Sequence, residues 1–178
     1  MGNRGGSIHD PETRTLTKRR WASKRWIACV LSFKGRRRTV MGAGYTELFF
    51  LDDATALASG HRPCFECRRK EAGLFADAFM RARHLARPPR ANEMDEALHK
   101  ERIAIFKGAA ERRRTDSLPP GTMVARKGDA FLVTQNGVKR WRATGYDRAQ
   151  APHGDYEVLT PPSIVAALAA GYGPRGLP

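Results

Sequence analysis

Ser59-Gly60-His61-Arg62-Pro63-Cys64-Phe65-Glu66-Cys67-Arg68-Arg69 is the stretch on which the reading of this chain turns. It holds two of the three cysteines at Cys-x-x-Cys spacing, a proline that stiffens the approach, and arginines on both sides. That spacing suits a tight turn presenting two thiolates to one soft or borderline metal, usually zinc, with two further ligands from elsewhere. Lys70 to Leu85 follows with helical periodicity through Ala72, Phe75, Phe79 and Ala82, so Cys67 is expected near a helix start. A helix N-terminus and neighbouring arginines both favour thiolate over thiol, which serves metal binding and would equally serve a reactive cysteine.

Working upstream, Tyr45 to Leu51 reads as a strand, and Asp52 or Asp53 caps a short helix over Ala54 to Ala58 that Gly60 ends. The run Trp26 to Phe33 is β-branched and aromatic; Lys34-Gly35 breaks it before Arg36 to Met41, which predicts a hairpin. Cys29 falls mid-strand, where it reads either as a small buried residue or as a third ligand. Residues 1–20, Gly-rich and increasingly basic, read as a flexible arm, and residues 21–112 as a metal-binding α+β region.

Residues 45–69, YTELFFLDDATALASGHRPCFECRR, resemble the second half of the zinc domain of Ada-type DNA alkylation-repair proteins. There an apolar strand and an Ala-rich helix lead into a Gly-aromatic-Arg-Pro-Cys-x-x-Cys segment. Cys64 and Cys67 align with that family's downstream cysteine pair. The upstream pair, one member of which accepts a methyl group, has no counterpart beyond the single Cys29. The resemblance therefore implies zinc, contact with the DNA backbone and a link to DNA repair, without methyl acceptance.

Charge points towards the same class of partner. Thirty-two Lys and Arg against eighteen Asp and Glu leave +14, with a pI near 10.5; such an excess favours a polyanion, nucleic acid first and DNA in particular. Arg36, Arg37, Arg38, Arg62, Arg68 and Arg69 are the expected phosphate contacts, and Trp21 and Trp26 interleave with cations as stacking platforms or core plugs. A second reading is a protein-interaction module whose basic face docks an acidic partner. With three cysteines that cannot all pair, no charged-then-apolar leader and no apolar run of ~20 residues, the chain reads as cytoplasmic and without a membrane span.

The ligands that would complete the shell stay open among Cys29, His9, His61, His84, His99, His153 or a carboxylate. After Pro88-Pro89, Asn92 is expected to cap a helix to about Phe106, placing Glu93, Glu96 and His99 on one face. That trio reads as exposed ion pairing with Lys100 and Arg102, or as a divalent-ion or general-base site, His99 activating water in a metal-dependent nuclease. Beyond Leu118-Pro119-Pro120-Gly121 the texture changes. Strands are expected at Thr122–Arg126, Ala130–Thr134, Val138–Thr144 and Tyr156–Leu159, with a hairpin turn at Asn136-Gly137. Residues 118–178 thus read as a small β-meander or barrel, closed by an apolar helix from Pro161-Pro162 to Ala170. The expected fold class is α+β.

Overall fold

The computed structural model describes residues 1–37, 39–150 and 153–177. Short strands come first: β1 (Gly2–Asn3), β2 (His9–Asp10), β3 (Thr15–Leu16) and β4 (Ile27–Ala28). α1 (Asp53–Ala58) follows, started by a capping box in which Asp52 accepts from the Thr55 amide at 2.8 Å and the Thr55 hydroxyl accepts from the Asp52 amide at 3.0 Å. Gly60, at φ +78°, reverses the chain into β5 (Arg62–Pro63). The helix expected after the knuckle is α2 (Arg69–Ala82), burying Ala72, Phe75, Ala76 and Phe79 at three- and four-residue spacing.

α3 (Ala91–Phe106) begins one residue before the expected cap, because Glu93 reaches back to the Arg90 amide at 2.6 Å and Asn92 lies inside the first turn. β6 (Arg112–Arg113), β7 (Met123–Arg126), β8 (Asp129–Thr134), β9 (Gly137–Arg142), β10 (Gly145–Ala149) and β11 (Tyr156–Val158) form one antiparallel sheet in the order β10-β9-β8-β7-β11-β6. α4 (Pro162–Ala169) closes the chain's secondary structure, with proline in its first turn and Gly171 at φ +94° beyond its end. The α+β expectation holds: four helices and three sheets stand among the described residues.

The core ties the two halves together. Leu57, Phe75, Phe79, Met94 and Leu98 share one cluster with Ile164, Leu168 and Tyr172. Strand alternation sorts the sheet's side chains, so that Val124 opposite Phe131 joins Val165 of α4, while Met123 opposite Leu132 joins Ala54 of α1. Among the described residues, no helix is long and apolar enough to cross a membrane.

Several local expectations change. The hairpin over residues 26–41 does not form. Its turn exists, with Lys34 and Gly35 in the left-handed region and the Arg36 amide on the Phe33 carbonyl at 3.0 Å. Among the described residues its flanks nevertheless do not pair with each other, because β4 takes β1 and β5 as partners, and Leu31 is left 76% exposed. Tyr45 to Leu51 forms no strand; it joins the N-terminal segment through a bridge from Leu48 to Gly2 and a hydrogen bond from the Thr46 amide to the Gly6 carbonyl at 3.2 Å. Residues at the start of the expected arm are docked: Gly2 and Asn3 pair with Ala28 and Ile27, and the His9 ring contacts Thr46 Oγ1 at 2.5 Å and the Gly42 carbonyl at 2.9 Å. The meander contains two further strands, β6 and β10, whose charged residues concealed them, and the sheet is open rather than a barrel. The β8–β9 loop is Gln135-Asn136, since Thr134 pairs with Gly137.

Candidate metal centre

β4 and β5 run parallel, Ile27 opposite Arg62 and Ala28 opposite Pro63. The Cys64 amide donates to the Ala28 carbonyl at 3.0 Å, so Cys29 and Cys64 leave the ends of neighbouring strands side by side. The chain then turns tightly. Cys64 Sγ accepts from the Glu66 amide at 3.3 Å, the Cys64 carbonyl accepts from the Arg68 amide at 3.0 Å, and α2 starts at Arg69. The result brings Cys29, Cys64 and Cys67 together with all three sulfurs within 4.8 Å of one another. A tetrahedral zinc with Zn–S bonds of ~2.3 Å would set its sulfurs about 3.8 Å apart, which this cluster accommodates. All three cysteines are free thiols.

The cluster is polarised. Hydrogen bonds from Cys29, from the Cys67 and Glu66 amides and from Cys67's thiol stabilise charge on Cys64 and pull its thiol down to about 5, against the opposing effect of burial. Cys29 is pushed up by its hydrogen bond to Cys64 and by burial; Cys67 is pushed up chiefly by burial, with the Val30 amide opposing. Amides aimed at sulfur are what a thiolate-bound cation requires of its surroundings.

Three buried arginines brace the segment. Arg62 makes a bidentate pair with Asp95 of α3, at 2.9 and 2.8 Å, both side chains at most 4% exposed. Arg68 pairs with Asp53 of α1, and Arg102 donates to the carbonyls of Gly60 and Lys24, each at 2.8 Å, while lying over Trp26. Trp26 is fully buried, with Arg4 on its ring at 4.1 Å as well. Between Trp26 and Phe50 sits His61, whose two ring nitrogens are buried without a hydrogen-bond partner among the described residues. Burial first, then the charges of Arg4 and Arg102, press its pKa down to about 3.

This placement revises the expected phosphate contacts. Arg62 and Arg68 turn inward, because Asp95 and Asp53 satisfy them inside the protein. Arg36 is exposed but pairs with Glu66 at 2.7 Å; Arg37 and Arg69 are exposed; Arg38 lies outside the described residues. The Glu93, Glu96 and His99 face does not assemble a cation site. Glu93 pairs with Arg87, Glu96 with Lys24, and His99 stands edge-on to Trp21 at 5.5 Å. Among the described residues the three cysteines form the one cluster suited to a metal, and no histidine or carboxylate joins them. His9 is bound to Thr46 and Gly42, and His84 and His153 are exposed.

A cavity of about 540 Å³ opens on this cluster, lined by all three cysteines. Its walls come from segments that looked like unremarkable strand and arm: Asn3, Leu31, Val40, Tyr45, Glu47 and Phe49 among them. One signal was present in the sequence, since Glu47 is the single acid between Glu12 and Asp52, set in an apolar run. It is 8% exposed and accepts from the Met41 amide at 3.0 Å. No family model, no curated protein and no solved structure matches this chain.

Proposed function

We propose that the chain is a zinc protein in which Cys29, Cys64 and Cys67 bind the ion, and whose basic surface engages nucleic acid, DNA first, through its phosphates. The observation that carries the zinc reading is the convergence of the three sulfurs under aimed amides. Three thiolates favour zinc over magnesium, calcium or manganese, which prefer oxygen. Bound there, zinc clamps β4, β5 and the start of α2, adding its binding energy to a fold that already has a core.

The partner reading rests on charge. From Thr13 to Thr46 the chain carries no acid, and the described cations there, Arg14, Lys18, Arg19, Arg20, Lys24, Arg25, Lys34, Arg36 and Arg37, are all exposed. The resemblance of residues 45–69 to the Ada-type zinc domain points the same way, and a role in DNA repair follows from that resemblance alone.

Metal analysis of the purified chain is expected to give one zinc per protein, and Cys29→Ser, Cys64→Ser and Cys67→Ser are each expected to lose it. Zinc-free protein with reduced thiols would reject the centre. For the partner, duplex DNA affinity should fall steeply with salt, and Arg37→Glu with Arg69→Glu should lower the log–log slope by about one per lost phosphate contact. Affinity flat from low to moderate salt would reject the phosphate reading.

A further inference from the structure

We propose that the 540 Å³ cavity is a binding site for a small apolar thiol, which completes the metal's coordination from outside the chain. The proposal rests on the zinc reading above and adds to it the ligand and where it sits. Structural zinc sites are closed by four protein groups, whereas three protein ligands leave a position for an exogenous one. Three sulfurs converge here, and no fourth histidine, cysteine or carboxylate joins them among the described residues. All three sulfur-bearing residues line the cavity, so a metal held by them would lie against that space.

The cavity has the size and character of a small-molecule site, which typically spans ~300–1,000 Å³ and is mostly apolar with a few placed polar groups. Ile27, Leu31, Phe33, Val40 and Phe49 supply the apolar wall; Leu31, Val40 and Phe49 are 76%, 48% and 61% exposed, an apolar rim of a kind that soluble proteins seldom leave uncovered without use. Arg25, Tyr45, Glu47 and the Arg36–Glu66 pair add polar groups to the wall. A metal already held by thiolates accepts a further soft donor readily, so a thiol attached to an apolar body matches both ends of the cavity. On binding, the thiol's proton and the water that would hold the fourth position leave to solvent, and the sulfur takes that position, with no change of oxidation state.

Cobalt(II) in place of zinc makes the site visible, because its d–d and sulfur-to-metal charge-transfer bands respond to the number of sulfurs bound. Phenylmethanethiol is expected to shift the d–d bands and to raise the charge-transfer band, saturating at one thiol per cobalt. Toluene, which has the apolar body without the donor, should leave the bands unchanged. Phe49→Ser should weaken phenylmethanethiol about tenfold while altering 2-mercaptoethanol little, because the rim contact is apolar. A stoichiometric cobalt site whose bands ignore saturating thiol would mean that the chain itself fills the fourth position; it would overturn this proposal and leave the zinc reading intact. Equal binding of both thiols to the parent and to Phe49→Ser would remove the cavity from the proposal and so overturn it. A chain that takes up no cobalt or zinc would overturn both readings.

Discussion

Replacing Asp95 by alanine tests whether the segment carrying Cys64 and Cys67 is held from behind. Asp95 receives both Arg62 Nε, at 2.9 Å, and Nη2, at 2.8 Å, with the two side chains 3% and 4% exposed. After the substitution, Arg62 keeps its charge, its Nη1 bond to the Pro63 carbonyl at 3.2 Å and its contact with the Phe65 ring, but loses its counter-ion inside the protein. Breaking a buried pair from one side costs about 3–5 kcal/mol, since the remaining charge is left uncompensated. For a chain of this length each kcal/mol moves the melting temperature by about 2–4 °C, so the expected drop is roughly 6–20 °C.

The neighbouring residue is the control. Glu96 pairs with Lys24 at 2.8 Å, but those side chains are 54% and 51% exposed, and Glu96→Ala should cost about 0–1 kcal/mol. Denaturant unfolding of both variants, monitored by tryptophan fluorescence at fixed metal, gives the comparison. Arg62→Met combined with Asp95→Leu should recover most of the loss, because a matched apolar pair carries no desolvation penalty. If Asp95→Ala lay within about 1 kcal/mol of the parent, the bracing role of the pair would be refuted.

Other expectations concern the same region. Chelation should destabilise the parent chain by about 4 kcal/mol when compared with zinc a thousandfold above its Kd, and should leave Cys29→Ser nearly unchanged; calorimetry with and without chelator checks this. His61, pressed down to about 3 in the folded state, takes up a proton on unfolding between that value and its ordinary pKa near 6.5. Its contribution is therefore complete above about 6.5 and is lost as the pH falls from there through about 3, with a slope of up to ~1.4 kcal/mol per pH unit. Urea titrations across this range should show His61→Leu losing that slope, and an unchanged acid limb would count against the buried neutral ring. Gly60→Ala should cost about 1–3 kcal/mol, because φ is +78° and the added Cβ would lie 2.5 Å from Arg102 Cδ, whose guanidinium is fixed on two carbonyls. Gly73→Ala, mid-helix in open space, should instead stabilise by about 0.5–1 kcal/mol, and thermal melts of the two should shift in opposite directions.

What could be read from the sequence was whatever short-range chemistry decides. Asp52 capping α1, Gly60 reversing the chain, the Phe75 and Phe79 stripe of α2, the Lys127-Gly128 turn between β7 and β8 and the Pro162 start of α4 all depend on residues within a few positions of one another. So did the Cys64–Cys67 knuckle, whose turn and helix start follow from its own spacing. Charge was legible as a total, and the stretch without acids was visible in the chain itself.

Tertiary structure decided which of these residues meet. Cys29 reaches the knuckle only because Ile27 pairs in parallel with Arg62 across a long separation in the chain, and no local pattern encodes a two-residue parallel ladder. Five of the six arginines that look alike in sequence separate into an inward and an outward set according to where Asp53 and Asp95 arrive from α1 and α3; the sixth, Arg38, lies outside the described residues. The cavity beside the sulfurs exists because the hairpin expected over residues 26–41 did not pair, leaving Leu31 and Val40 with Phe49 around an open space. Caps, turns and helical stripes are near-neighbour interactions that a sequence carries within itself; pairings and counter-charges depend on segments far apart in the chain, and their positions are set by the packing of the whole core.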